Sequence, residues 1–207
     1  MSIEKAYYLW ASSYDEMQNK TRDLEALVAK EMLGDSHYTS ILELGCGTGK
    51  NTQFLLEVSE SIIAFDFSKE MLEKAKQKIS SQKVTFKEQD LSHDWGLEAN
   101  SFDLISCSLV LEHLEEINSI FEKSTNVLKA NGKFYVSELH PFKQYSGHKA
   151  RFDNGKEIEE LEVYTHHISD YLIAAKKCGL KLIELKESFD EDNRSKIPRL
   201  ISFLFQK

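Results

Sequence analysis

Three glycines at alternate positions, Gly45, Gly47 and Gly49, interrupt the stretch ILELGCGTGKNTQFL where an apolar run gives way to a helical pattern. Glycine supplies positive φ and strips the backbone of side chains. A helix opening directly after such a turn presents free amide donors and the positive end of its dipole. A ligand can therefore lie against main chain here. The dinucleotide fingerprint needs glycine at position 50, which is Lys50, so the pyrophosphate-binding version of the turn is weakened. Asp66, 21 residues after Gly45, ends the next apolar run. A carboxylate offers only acceptors, so it suits the paired hydroxyl donors of a ribose and repels a 2′-phosphate. Turn and acid together point to an adenosine-containing ligand.

A second group of residues could move protons or hold charge. Four of the seven histidines, His140, His148, His166 and His167, fall within 28 positions, and imidazole titrates near neutrality. His140 and His166 are candidate bases, with Tyr145, His148 and Arg151 as candidate substrate contacts. Lys143, Lys149 and Arg151 follow one another without an intervening acid. A small, negatively charged acceptor could be held there, although a solvated basic loop explains the same run. Cys46, Cys107 and Cys178 are widely spaced and form no CxxC pair, so neither a disulfide framework nor a zinc site is indicated. No metal is expected.

The elements that must position these residues alternate in type. Short runs rich in β-branched and aromatic residues, at Ile41–Leu44, Ile62–Phe65, Val84–Phe86, Phe102–Cys107 and Lys133–Leu139, read as strands. Between them, Ser68–Ile79 and Glu115–Lys129 carry apolar residues at helical spacing. Such alternation implies right-handed crossovers and a parallel sheet. The rhythm breaks after Leu139: His140–Tyr164 shows no sustained period. A helix follows over Ser169–Cys178, with Gly179 as its stop. Leu180–Leu185 and Leu200–Phe205 then read as a final antiparallel pair. The expectation is one α/β domain over 1–207, with N-terminal helices within 1–35 and a substrate cap at 140–168.

Composition bounds the function. The 207 residues are 41% hydrophobic and carry a net charge of −8, so attraction to nucleic acid is not the default. From His140 onward 12 basic side chains meet 11 acidic ones, so the negative charge lies in the first 139 residues. No stretch approaches the ~18 apolar residues of a membrane span, and the first residues lack a signal-peptide pattern. A cytoplasmic protein that does not meet the membrane is expected.

The segments carrying this chemistry resemble the class I S-adenosylmethionine-dependent methyltransferases, small-molecule type, across most of the chain. ILELGCGTG resembles the family's first motif, AFDFSKEML its second, EQDL a third and FDLISCSLVLEHL the motif on the fourth strand, while YYLWASSYDE is similar to the N-terminal helix of small-molecule members. The resemblance implies a Rossmann-like seven-stranded, mostly parallel sheet, helices on both faces and an antiparallel last strand. It implies S-adenosylmethionine as cofactor and S-adenosylhomocysteine as product. Glu43, Gly45, Cys46, Gly47 and Gly49 would meet the methionine part, Asp66 the ribose, and Phe67, Met71, Asp90 and Leu91 the adenine. Ser108 and His113 would border the sulfonium, and Tyr14 would close over the cofactor. The implied reaction is methyl transfer to a small molecule. A tRNA or protein acceptor, a non-catalytic S-adenosylmethionine-binding subunit and a nicotinamide oxidoreductase are the alternatives; the acceptor atom and oligomeric state stay open.

Overall fold

The computed structural model describes residues 19–147, 151–153, 158–160 and 163–207. Tyr14, His148 and Lys149 lie outside them. The chain runs α1 (Lys20–Leu33), β1 (Tyr38–Leu44), α2 (Lys50–Leu55), β2 (Ser59–Asp66), α3 (Lys69–Lys78), β3 (Val84–Glu88) and β4 (Phe102–Ser108). After a 3-10 turn at Leu111–His113 come α4 (Asn118–Val127), β5 (Leu128–Leu139) and α5 (Pro141–Tyr145). Then follow β6 (Arg151–Asp153), β7 (Ile158–Glu160), α6 (Ile168–Lys177), β8 (Lys181–Ser188) and β9 (Leu200–Gln206).

Seven strands form one sheet in the order β3-β2-β1-β4-β5-β9-β8, while β6 and β7 pair antiparallel by themselves. β1 pairs parallel with both β2 and β4. β9 runs antiparallel to both neighbours, as the close spacing of the last two strands requires. From β1 the chain winds first toward β3 and then, from β4, in the other direction. The β1/β4 junction is therefore the switch point where an open α/β sheet leaves a crevice at its carboxyl ends.

Strand alternation sorts the core into two layers. Leu42, Leu44, Ile105, Cys107, Phe134 and Val136 face α4 and α6, joining Phe121 and Tyr171. Ile41, Ile62, Ala64, Leu104 and Tyr135 face the opposite side, joining Ala29 and Leu33 of α1, Phe54 of α2 and Leu72 of α3. On this second side the strands turn polar toward their carboxyl ends. Ile41 is followed two residues on by Glu43, Leu104 by Ser106 and Ser108, and Tyr135 by Ser137. Helix α1 is the wall that covers these polar positions.

Several boundaries differ from expectation. α4 begins at Asn118 rather than Glu115 and stops at Val127, because Leu128 is extended, fully buried and paired with Phe102. β5 therefore starts five residues before Lys133. The segment read as irregular from His140 holds a short helix, started by Pro141 at its first turn and capped by His140 Nδ1, which accepts from Phe142 N. Among the described residues no helix is long and apolar enough to cross a membrane.

Phe121 is fully buried, edge-on to Phe134 at 5.2 Å and to Phe205 at 5.7 Å. Phe121→Ala should cost about 3–5 kcal/mol of unfolding free energy through the lost transfer energy and the cavity left behind. Urea denaturation measures this as a lower midpoint at unchanged slope.

Candidate functional site

A cavity of about 360 Å³ opens at the switch point. It falls in the range of small-ligand sites. Its floor is the turn after β1. Cys46 N donates to Phe65 O, tying that turn to β2, and Gly47 N donates to Asp66 Oδ2 at 2.7 Å. Asp66 Oδ1 accepts from Ser68 N at 2.9 Å, so each carboxylate oxygen is held by a backbone amide. Lone pairs remain on both oxygens for ligand hydroxyls.

The three glycines do different work. A Cβ on Gly45 would lie 2.3 Å from Val110 Cγ2, and one on Gly49 would lie 2.7 Å from Ile79 Cδ1. Those two are bare because protein packs against them. At Gly47, φ is +54° and an added Cβ would meet nothing within 4 Å, although the residue lines the cavity. Only there does a missing side chain keep space open for a ligand.

The cavity wall is rich in carboxylates that solvent does not reach. Burial pushes the Glu43 carboxyl up to about 8, against the Thr52 hydroxyl that donates to its Oε2 at 2.6 Å; Glu25 and Asp66 raise it further. Burial likewise moves Asp66 up to about 6, opposed by the amides of Ser68 and Gly47. Glu25, on the buried face of α1, is raised by burial against hydrogen bonds from Asn51, Ser108 and Tyr135. Three acids around one cavity resist ionising together unless a cation enters.

At the far end from α1 the cavity is bounded by Phe67, Gln89, Asp90 and Leu91. That loop is fixed from outside. Lys123 Nζ donates to the carbonyls of Leu91, Ser92 and His93 at 2.8–2.9 Å, and Trp95 Nε1 donates to Leu91 O at 3.2 Å. After β4, Leu109 takes a left-handed conformation, φ +57°, and lines the cavity. A strained non-glycine residue beside a site is one of the places where backbone energy is stored for function. The amides of Val110 and Leu111 that follow donate to Glu138 Oε1 at 3.0 and 2.8 Å.

Residues 42–136 match the family model described as a methyltransferase domain. An uncharacterized methyltransferase of Emericella nidulans is 26% identical over 221 residues, covering 87% of this chain and 76% of that protein. The ubiquinone biosynthesis O-methyltransferase of Xanthomonas axonopodis is 26% identical over 102 residues, 48% of this chain and 43% of its own length. The chain spans less than half the length of several of the curated relatives it matches. Among solved structures, an S-adenosylmethionine-dependent methyltransferase from Clostridium acetobutylicum superposes with a TM-score of 0.72 at 19% identity, covering 98% of this chain and 97% of that one. Residues 42–136 therefore match a methyltransferase domain, and the chain shares the fold of that S-adenosylmethionine-dependent methyltransferase.

Not all residues expected at the site meet at the cavity. Glu43, Gly45, Cys46, Gly47, Asp66, Phe67, Asp90, Leu91, Ser108 and His113 line it. Gly49 packs on Ile79 instead, and Met71 is fully buried as part of α3, outside the lining. Cys46 has its thiol pushed far up by burial, with Glu43 and Asp66 adding to the effect, so it is no nucleophile near neutrality.

The candidate bases lie elsewhere. His140 is buried, with Nδ1 accepting from Phe142 N and Nε2 against Glu187 Oε1 at 3.1 Å. Burial lowers its pKa in spite of Glu187. His166 Nε2 meets the carbonyls of Leu111 and Leu114 at 3.1 and 2.8 Å, bracing the 3-10 turn. Both imidazoles are placed by the fold's own hydrogen bonds, and neither lines the cavity. Tyr145 is exposed and stacks on His167. Arg151 stands in the short strand β6. Lys143 pairs with Asp190 at 3.6 Å, and Asp190 also binds Arg199, so one member of the expected cationic run is neutralised.

Sequence reasoning missed the wall supplied by α1, Arg22 and Glu25, and the pair Lys50 and Asn51 at the start of α2. Their signal was faint: a glutamate among Leu24, Val28 and Ala29 on an otherwise apolar helix face.

Five buried carboxylates with raised values, Glu25 among them, also set the pH response. Glu112 is pushed up to about 7 by burial, opposed by a bond from Gln144, and Glu138 up to about 8 by burial and by Glu112. With Glu25, Glu43 and Asp66 they hold protons in the native state that the unfolded chain releases above its ordinary carboxylate range. The native state binds more protons between about pH 5 and 8, so stability falls as pH rises through that window. Glu138→Gln keeps an acceptor for Val110 and Leu111 while removing one titration. Calorimetric melting from pH 5.5 to 8.5 should show a falling Tm for the parent and a shallower fall for the variant.

Proposed function

We propose that the cavity binds S-adenosylmethionine with its ribose on Asp66 and its adenine between Phe67 and the Asp90–Leu91 loop. The methyl group then passes to a small-molecule acceptor approaching from the 140–168 segment. The observation that carries this reading is the open space at Gly47 beside a carboxylate whose two oxygens are fixed by backbone amides. Glu43, Gly45, Cys46, Ser108 and His113 surround the rest of the cofactor. Tyr14 is proposed to close over it from the segment before α1, and the whole of 1–207 is read as one methyltransferase domain.

When bound, the cofactor supplies a methyl group already activated on a sulfonium, which leaves by in-line displacement. The protein's part is orientation and exclusion of water. The acid-lined wall favours a cationic ligand. Asp66 orients the ribose, and the loop pinned by Lys123 fixes the adenine end. His140 and His166 are read as bracing residues, since their ring nitrogens are engaged away from the cavity. Tyr145, His148 and Arg151 are proposed for the acceptor side.

A small acceptor is favoured by the net charge of −8 and by the fewer than 30 residues of 140–168 available to recognise it. A relative that acts in ubiquinone biosynthesis is consistent with this class of acceptor. Product analysis after incubation with labelled S-adenosylmethionine and separate metabolite and RNA fractions tests the choice; label in RNA alone overturns it.

Calorimetry should show S-adenosylhomocysteine binding and no NADH binding. Asp66→Ala should lower S-adenosylhomocysteine affinity by about 1.5–3 kcal/mol per charge-assisted hydrogen bond lost. Gly47→Val should abolish binding by filling the cradle, at a stability cost of about 1–2 kcal/mol for the left-handed backbone. Parent-like binding by Asp66→Ala removes the ribose assignment.

A further inference from the structure

Glu138 is 1% exposed and stands outside the cavity lining. It follows Phe134 and Val136 on the face of β5 that packs against α4 and α6. A carboxyl group there is expensive, and an apolar side chain of similar size would cost less. What it does is local: Oε1 accepts from Val110 N at 3.0 Å and from Leu111 N at 2.8 Å. The β4 ladder on β5 ends where Ser108 pairs with Ser137, and Leu109 N still reaches Ser137 O at 2.8 Å. Leu109 then turns left-handed and the next two amides leave the sheet. Glu138 supplies the acceptor that the backbone of β5 no longer gives them.

Two amides held by one oxygen fix the start of the turn over 109–114. One side of that turn belongs to the cavity, which Leu109, Val110, His113 and Leu114 line. A Cβ on Gly45 would lie 2.3 Å from Val110 Cγ2, so Val110 is seated on the glycine turn that forms the cavity floor. The other side is gripped by the 140–168 segment. Gln144 Nε2 donates to Glu112 Oε2 at 3.3 Å, and Tyr164 N donates to Glu112 O at 2.7 Å. The His166 ring reaches the carbonyls of Leu111 and Leu114. Cofactor cavity and acceptor segment thus meet on one short turn whose path is set from β5. A displacement loses rate steeply when its reacting groups are misplaced by about 1 Å, so the setting of that turn bears on the chemistry.

We infer that Glu138 is a positioning residue for methyl transfer, which through Val110 and Leu111 sets the turn that registers the 140–168 segment against the cavity. This rests on the cofactor reading above and extends it to a residue outside the cavity lining. Ordering one side of a packed turn reduces local opening on the other. A ligand in the cavity is therefore felt at Tyr164, which does not line it.

Hydrogen exchange and calorimetric titration of the full chain test this, with S-adenosylhomocysteine as the probe. In the parent, saturation with the probe should slow exchange of the Tyr164 amide about fivefold or more. Glu138→Gln keeps an oxygen for both amides and should retain that response, with the parent's affinity within about twofold. Glu138→Met keeps the volume and offers no oxygen. It should bind the probe about tenfold more weakly or worse and lose the response at Tyr164. A Glu138→Met that is only less stable, with the parent's affinity and response below its melting temperature, marks a scaffold role and overturns the inference. So does a Glu138→Gln that loses affinity and response, and so does a parent that binds the probe with no change at Tyr164. These last two arms decide the matter even where Glu138→Met does not fold. A parent that does not bind S-adenosylhomocysteine overturns the cofactor reading itself.

Discussion

The carboxylates of Glu25, Glu43 and Asp66 are all buried in the wall of one cavity, and much of the site's design answers to that constraint. Each is held by donors that carry no full charge: backbone amides for Asp66, a threonine hydroxyl for Glu43, and serine, tyrosine and asparagine for Glu25. Neutral donors orient a carboxylate without neutralising it. Lys50 offsets part of the Glu25 charge, and the field that remains favours a cationic ligand. The electrostatic cost of the cavity thus becomes selectivity for what enters.

That arrangement depends on where the sheet stops being apolar. On the side covered by α1, α2 and α3, buried aliphatic residues give way to Glu43, Ser106, Ser108 and Ser137 at the carboxyl ends of three neighbouring strands. On the other side the same strands stay apolar through Leu44, Cys107 and Val136. One face therefore supplies most of the cohesion, through the aromatic group around Phe121 and Phe203. The other holds polar groups whose partners come from several elements: Glu25 of α1 for Ser108, Thr52 of α2 for Glu43 and Ser202 of β9 for Ser137. Lys50 to Asp23, Lys186 to Glu31 and Arg199 to Thr21 fasten α1 along its length.

The strand periodicity, the order of the motifs and the antiparallel end of the sheet were all legible in the sequence, because each is a local pattern repeated along an element. Asp66 was legible because its partner turn lies a fixed crossover away. The three glycines looked alike as letters, yet Val110 explains one and Ile79 another, and only the third faces the ligand space. Those contacts join residues 30 to 65 positions apart, which spacing does not encode. Glu25 was hidden for a related reason: its partners Ser108 and Tyr135 lie 83 and 110 residues away. Read locally, it is one acid on an ordinary amphipathic helix.

The histidines show the opposite case, a visible pattern whose two candidate bases the structure places outside the cavity lining. The described members of the cluster sit where chain ends need caps or carbonyls need donors. His140 begins α5, His167 begins α6, and His166 bonds to the carbonyls flanking the turn after β4. An imidazole can cap a helix or brace a carbonyl while packing as an aromatic ring, as His166 does edge-on to Tyr171 at 6.0 Å. Methyl transfer from a sulfonium asks mainly for alignment, so a site can dispense with a base when its acceptor arrives with a free lone pair. With both candidate imidazoles committed to backbone and to Glu187, His113 is the histidine that lines the cavity among the described residues.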